Sequence, residues 1–301
     1  MRTQVMRALA SVLVQSLEDF EVIVVDDGST DRGACTVRDC GDPRVRLLEQ
    51  PHRGSAAARN AGLGAARTSI VAFLDADDEW KPDFLDKTMG LLEKRASLVA
   101  VFSNIAVAST GMPLLRRVDQ RDGIVENYFE TLLANDAVGM TSSSTVVRRE
   151  ALQACGGFPE GVVTGEDFDT WARLAWSGPI GFVPDCLASY HLVSRDVETR
   201  GRELTPVPVV LNSFRDWSRA GRIPSQLLPA TTRLLNRVLA DHVSELAHRG
   251  RAEDARRVLR EYWHGGGPWP AYAKAAVAAR SPTRLLGWLR RIRRWRADTP
   301  L

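Results

Sequence analysis

Four apolar residues, Val71 to Leu74, run directly into three carboxylates, Asp75, Asp77 and Asp78. A short apolar run bounded by polar residues reads as a buried strand of a parallel sheet. In open α/β sheets, ligands sit beyond the carboxyl ends of strands, so carboxylates placed there are aimed at a ligand. Packed this closely they repel one another, and a proton or a cation must offset the charge. A hard divalent cation bridging to phosphate oxygens suits such a set. A solvated acidic turn ahead of a helix opening at Pro82 is the plain alternative, and this stretch alone leaves it open. The pattern recurs where Phe20 to Val25 runs into Asp26-Asp27-Gly28-Ser29-Thr30-Asp31, with Gly28 permitting a tight turn. Two acidic strand ends in one sheet say more than one.

A third acidic pair, Glu166-Asp167, opens an amphipathic helix that sets Trp171, Leu174 and Ala175 on one face. Thr164 is the expected cap, and acids suit a helix N-terminus because its dipole favours negative charge. Two consecutive acids are not both needed there, so at least one is available for chemistry. Arg59 lies in a small-residue helix, residues 54–66, and reads either as a surface charge or as a donor to a phosphate.

The elements that must position these groups follow from periodicity. Val5, Leu9, Val12, Leu13 and Leu17 recur at helical spacing, which predicts a helix over residues 3–17. Strands are expected over residues 20–25, 45–48, 70–74, 98–107, 142–147, 180–183 and 187–191, with a short helix from Arg149. Residues 108–140 show no clear period. Beyond residue 204 the pattern is helical, with segments 234–247 and 252–262 meeting at His248-Arg249-Gly250. The predicted fold class is α/β, a mostly parallel sheet flanked by helices over residues 1–203, followed by a basic helical region over 204–301.

Bulk properties narrow the function. At 44% hydrophobic and 26% charged, the 301 residues have an ordinary globular composition. No apolar run approaches the ~20 residues that span a bilayer, and no secretory signal is visible. Cys35, Cys40, Cys155 and Cys186 lack metal-ligand spacing, so buried free thiols in a reducing, cytoplasmic setting are expected. Charge is divided unevenly: residues 201–301 carry 19 Lys and Arg against 8 Asp and Glu, which leaves the remainder acidic. A last helix, 283–296, lines up Leu285, Trp288, Leu289, Ile292 and Trp295 among six arginines. That stripe suits either the headgroup layer of an anionic membrane or packing on the protein itself. Nothing in the motifs calls for nucleic acid.

Taken in order, Val24-Val25-Asp26-Asp27-Gly28-Ser29-Thr30-Asp31, Ala58-Arg59-Asn60-Ala61-Gly62, Phe73-Leu74-Asp75-Ala76-Asp77-Asp78, Gly156-Gly157-Phe158 and Glu166-Asp167 resemble the family-2 inverting glycosyltransferases of GT-A fold. The resemblance covers residues 3–200 and leaves the helical tail aside. It implies metal-dependent inverting transfer of a sugar from a nucleoside-diphosphate sugar, a UDP-sugar by preference, to a hydroxyl of a glycan or lipid-linked acceptor. By that resemblance Asp27 contacts the nucleotide base, Asp75 faces the ribose and Asp77 binds Mn2+ or Mg2+. Asp167 is the matching catalytic base, and His191 lies where relatives place a histidine near the diphosphate. Asp26, Arg59 and Glu166 join Asp27 and Asp75 as substrate-binding candidates; Asp75, Asp77 and His191 are the metal candidates. Such chemistry needs a Lewis acid for the leaving diphosphate and one general base for the acceptor. Two carboxylates alone would also suit a glycoside hydrolase.

In one respect the chain departs from the family, which begins with a central strand and a Pro-Thr-Tyr-Asn-like turn ahead of the first helix. The expectation is a start upstream of Met1 or an incomplete donor site, with two strand edges left unpaired. On that ground a catalytically impaired scaffold or membrane-binding module is the alternative to an enzyme.

Overall fold

The computed structural model describes residues 2–31, 33–162, 164–191 and 205–263. The chain divides into two compact units, Met1–Arg202 and Glu203–Leu301.

The first unit opens on helix α1 (Arg2–Leu13), which buries Ala8, Leu9 and Val12 at helical spacing. Strands β1 (Val22–Asp27) and β2 (Val45–Gln50) pair in parallel around helix α2 (Gly33–Arg38), a right-sized crossover for the connection. Helix α3 (Ser55–Ala65) lies close on β1, because Gly62 and its alanines present little bulk: a Cβ at Gly62 would already touch Val25 at 3.5 Å. A larger sheet follows in the order β3 (Ile70–Ala72), β8 (Thr145–Arg148), β5 (Ala100–Val107), β9 (Ile180–Tyr190), β7 (Ile124–Val125) and β6 (Gln120–Arg121), with β4 (Glu79–Trp80) also pairing with β9.

The α/β class holds, but the pairing is mixed where a mostly parallel sheet was expected. Parallel ladders are β1 with β2 and β5 with β9; β3–β8, β5–β8, β4–β9, β6–β7 and β7–β9 are antiparallel. An apolar run buried on both faces looks the same in either direction, so composition does not reveal it. Among the described residues β1 pairs only with β2, and β3 only with β8, so each has an edge without a ladder.

The core forms on β5, whose first six residues are buried, and on helix α4 (Phe84–Lys94). Trp80 stacks on Phe84 at 4.3 Å, surrounded by Val12, Leu92, Val101, Ile105 and Leu187. Each such side chain contributes about 1.5–3 kcal/mol on burial. Helix α5 (Tyr128–Ala134) falls in the stretch without sequence period; the Asn127 side chain caps it by accepting from the N–H groups of Phe129 and Glu130. Residues 142–144 form a 3-10 turn where a strand was predicted, and β8 starts only at Thr145. Helix α6 (Arg149–Ala154) leads to helix α7 (Glu166–Ser177). Gly165, at φ 86°, takes the cap position of α7 in place of Thr164 and contributes no side-chain bond.

In the second unit, helices α8 (Val209–Arg219), α9 (Leu228–His248) and α10 (Ala252–Tyr262) bury Phe214, Trp217, Leu234, Leu239, Val243, Val258 and Tyr262. The Arg-rich stripe 283–296 lies outside the described residues. Among the described residues no helix is long and apolar enough to cross a membrane. All four cysteines are free, but only Cys155 is buried; Cys35 is exposed and Cys40 and Cys186 lie between.

Candidate active site

The end of β3 and the start of α7 face one another through Arg59 of α3. Its guanidinium lies 2.7 Å from Asp75 Oδ1 and 3.3 Å from Glu166 Oε1, and over the Phe158 ring at 5.4 Å. Burial works against the charge of Arg59, but Asp75, Asp167 and Glu166 outweigh it and raise its pKa. The residue is therefore a half-buried, permanently charged bridge between two acidic groups. Ser55 Oγ, on the same helix, donates to Glu166 Oε1 at 2.8 Å.

Asp75, Asp77 and Asp78 each offer an oxygen, all within 4.8 Å of one another. Asp78 is the deepest of the three. Burial pushes its pKa up to about 6, assisted by Asp75 and Asp77 and opposed by donors from Ser143 and the His191 N–H. A divalent cation fits this donor set, because hard oxygens are what Mn2+ and Mg2+ take and because the clustered charge needs a counter-ion. His191 stands just outside the cluster. Its ring Nε2 lies 2.6 Å from Glu79 Oε1, and its backbone N–H donates to Asp78 Oδ1 at 3.2 Å. Arg7 Nε lies 2.9 Å from the same Glu79 oxygen. Of the residues expected around a metal, Asp75 and Asp77 are together, Asp78 joins them, and the His191 ring is engaged elsewhere.

Asp167, next to Glu166 at the start of α7, interacts electrostatically with Arg59. Burial and the adjacent Glu166 raise its pKa, while Arg59 and the Phe168 N–H pull the other way. The Phe168 N–H donates to its Oδ1 at 2.7 Å. A carboxylate that is largely desolvated yet ionisable has the character of a general base.

Asp27 is used within the chain. Its Oδ1 accepts from Gln50 Nε2 at 2.7 Å and the Arg53 N–H at 2.8 Å; its Oδ2 accepts from the Gly54 N–H at 2.7 Å and faces His52 Nδ1 at 2.8 Å. Burial works against its ionisation, but those donors outweigh it and hold the pKa below the usual carboxylate range. Asp26 Oδ1 accepts from the Ser29 N–H at 3.2 Å and shapes the turn that follows β1.

Two supports were not foreseen from residue types. Asn60 Oδ1 accepts the Phe158 N–H at 2.9 Å and its Nδ2 donates to the Phe158 carbonyl at 2.8 Å. From the other side Arg173, paired with buried Asp169 at 2.7 Å, donates to the carbonyls of Cys155 and Gly157. Between them they clamp the Gly156-Gly157-Phe158 turn, whose glycines have φ of 90° and 64°. The Phe158 platform under Arg59 depends on that clamp. The second support is Ser143, whose hydroxyl touches both ends of the acidic turn. The only sequence signal for it is a run of three serines just before a buried strand.

Comparison with known proteins bears on the whole arrangement. The model of glycosyl transferase family 2 matches residues 3–156. The chain is 30% identical over 193 residues to the putative teichuronic acid biosynthesis glycosyltransferase TuaG of Bacillus subtilis, covering 63% of this chain and 74% of that one. It is 30% identical over 199 residues to the amylovoran biosynthesis glycosyltransferase AmsB of Erwinia amylovora, covering 60% and 63%. Other curated relatives are matched over less of their own length, 30% for an uncharacterized glycosyltransferase of Rickettsia felis. Among solved structures, S. aureus TarS 1–349 in complex with UDP-GlcNAc superposes with TM-score 0.61 at 17% identity, covering 93% of this chain and 86% of that one. The mannosyltransferase PcManGT of Pyrobaculum calidifontis, in complex with GDP-Man and Mn2+, gives 0.56 at 22%, covering 95% and 79%. These structures establish the likeness of fold, and the family match and the relatives establish that the chain is a glycosyltransferase belonging to glycosyl transferase family 2.

Proposed function

We propose that this glycosyltransferase transfers a sugar from a nucleoside-diphosphate sugar to an acceptor hydroxyl with inversion, at a site that uses a divalent cation, Mn2+ or Mg2+. The observation that carries the reading is the meeting of three carboxylates within 4.8 Å with a half-buried, raised-pKa Asp167 near the guanidinium of Arg59. Asp75, Asp77 and Asp78 would hold the cation, which when bound supplies Lewis-acid stabilisation to the leaving diphosphate. Arg59 keeps Asp75 and Glu166 in register and carries positive charge next to where phosphate oxygens gather. Asp167 takes the proton of the acceptor hydroxyl as that oxygen attacks. Direct displacement needs no enzyme nucleophile.

The relatives named for teichuronic acid and amylovoran biosynthesis support an acceptor in cell-wall or exopolysaccharide assembly, either a growing glycan or a lipid-linked one. The titles of the structural neighbours name UDP-GlcNAc and GDP-Man, so UDP- and GDP-sugars are the first donors to try. A lipid-linked acceptor would place the protein at the inner face of the membrane, where the basic stretch 283–296 is suited to anionic lipid. The test is a thermal-shift panel of nucleoside diphosphates with and without Mn2+, on the parent chain and on Asp77→Asn. The parent should be stabilised by one nucleotide in a Mn2+-dependent way and the variant should not. Equal metal-dependent stabilisation of both would remove Asp77 from the site.

A further inference from the structure

The turn that carries the three carboxylates is closed by its own backbone, with the Asp78 N–H donating to the Asp75 carbonyl at 3.0 Å. One hydroxyl then spans the same turn from outside. The Asp75 N–H donates to Ser143 Oγ at 3.1 Å, and Ser143 Oγ donates to Asp78 Oδ2 at 2.6 Å. With Asp78 ionised, the direction of this chain is fixed. A backbone N–H can only donate, so the serine oxygen is its acceptor, and the single hydroxyl hydrogen is left for Asp78. The length of 2.6 Å is that of a normal O–H···O hydrogen bond. On the other oxygen, Asp78 accepts the His191 N–H. Each oxygen of Asp78 therefore has one donor from the fold and retains acceptor capacity.

Ser143 is itself held rigidly. Its carbonyl accepts from Trp80 Nε1 at 2.8 Å, and Trp80 is stacked on Phe84 in the core. The Trp80 N–H in turn donates to Ser11 Oγ of α1. Directly after the serines, β8 enters the sheet between β3 and β5. The neighbouring serines do different work. Ser144 Oγ accepts from the Thr141 N–H and closes its own 3-10 turn, whereas Ser142 Oγ is buried with no hydrogen-bond partner among the described residues.

We infer that Ser143 is a positioning residue for the cation site: its hydroxyl fixes the rotamer of Asp78, so that this third carboxylate acts on the cation together with Asp75 and Asp77. The inference rests on the proposed cation site and adds to it a residue distant in sequence and without contact to the cation itself. Partners that orient ligating carboxylates are a regular part of metal sites, and losing one weakens metal affinity about 10- to 100-fold. A serine that merely satisfied buried polar atoms would affect stability and leave cation affinity alone.

The experiment is a Mn2+ titration followed by electron paramagnetic resonance of the free ion, with UDP or GDP present, on the full chain. Four variants are compared with the parent: Ser142→Ala, Ser143→Ala, Ser143→Cys and Asp77→Asn. Ser143→Ala should weaken Mn2+ binding about tenfold or more. Ser143→Cys, which is slightly larger and donates weakly, should shift it in the same direction by less. Ser142→Ala, in the same turn with a hydroxyl that has no hydrogen-bond partner among the described residues, should bind as the parent does. In turnover, the Mn2+ concentration for half-maximal rate should rise for Ser143→Ala while the rate at saturating Mn2+ is retained. Parent-like Mn2+ affinity in both Ser143 variants overturns the inference while the cation site stands. Should Asp77→Asn also bind like the parent, or the parent bind no Mn2+ with either nucleotide, the cation site itself is misplaced and the inference falls with it.

Discussion

Replacing Asp78 by asparagine keeps the shape of a buried side chain and removes its charge. In the fold this carboxyl is pushed from an ordinary 3.8 up to about 6, first by burial and then by Asp75 and Asp77. Each pH unit of such displacement is worth about 1.4 kcal/mol, so ionised Asp78 costs the fold about 3 kcal/mol. Below about pH 4 the group is protonated in both folded and unfolded chains and the cost is absent. Between about pH 4 and 6 the unfolded chain has lost the proton that the fold still holds, so stability declines as pH rises. Above about pH 6 the whole cost is present. Asparagine does not titrate, so the difference curve between variant and parent isolates this group. At pH 8 the variant should gain those 3 kcal/mol less about 1–2 kcal/mol for weaker bonds to Ser143 and the His191 N–H, a net of about 1–2 kcal/mol. The assay is urea unfolding of both proteins at intervals from pH 4 to 8, without metal and with Mn2+ plus nucleotide. Mn2+ at a hundred times its dissociation constant should restore about 2.7 kcal/mol to the parent and less to the variant. Parallel stability curves for the two proteins across pH 4–7, or a variant less stable than the parent at pH 8, would refute the reasoning.

Asp167→Asn should leave nucleotide-sugar affinity near the parent's and lower transfer at least about a hundredfold, since removing a base acts on the chemical step; radiolabelled transfer measured beside equilibrium binding tests both halves. Because the Asp167 pKa is raised, parent transfer should fall as pH drops through a value above 3.8, where an unperturbed carboxylate would still be ionised; a rate constant down to pH 4 contradicts this. Sedimentation with anionic vesicles should require the segment after Ser281 and weaken with salt, and equal sedimentation of full-length and shortened chains would make that segment a packing element.

How much of this was legible beforehand follows a physical line. Asp26, Asp27, Asp75, Asp77 and the Glu166-Asp167 pair stood out because each sits where an apolar run stops or a helix starts, a signal only a few residues wide. Ser143 and Asn60 act through hydrogen bonds to residues 65 to 98 positions away, and no local pattern encodes those. Residues 180–191 read as two strands because Pro184-Asp185 looks like a turn. The chain runs through as one strand, since the register steps from Ser103 opposite Val183 to Asn104 opposite Cys186 and leaves Pro184 in a bulge, where no ladder N–H is required. Strand direction was missed for a related reason: it depends on which strands become neighbours, and apolar content records only that both faces are covered.

The saturation of Asp27 limits what this carboxylate could offer a ligand under the proposed donor site. A carboxylate has about four acceptor sites, and the four donors around Asp27 come from Gln50, His52, Arg53 and Gly54. An incoming N–H must therefore displace one of them, and His52, with a side chain 80% exposed, is the one that water can receive. Exchanging one hydrogen bond for another yields little net free energy. A group that fits the vacated direction is accepted at nearly no gain, while one that arrives without a donor leaves His52 in place and finds the turn closed. If Asp27 meets the ligand as proposed, the contact would act as a sieve in place of an adhesive, and overall affinity would come from charge and apolar contact elsewhere on the ligand.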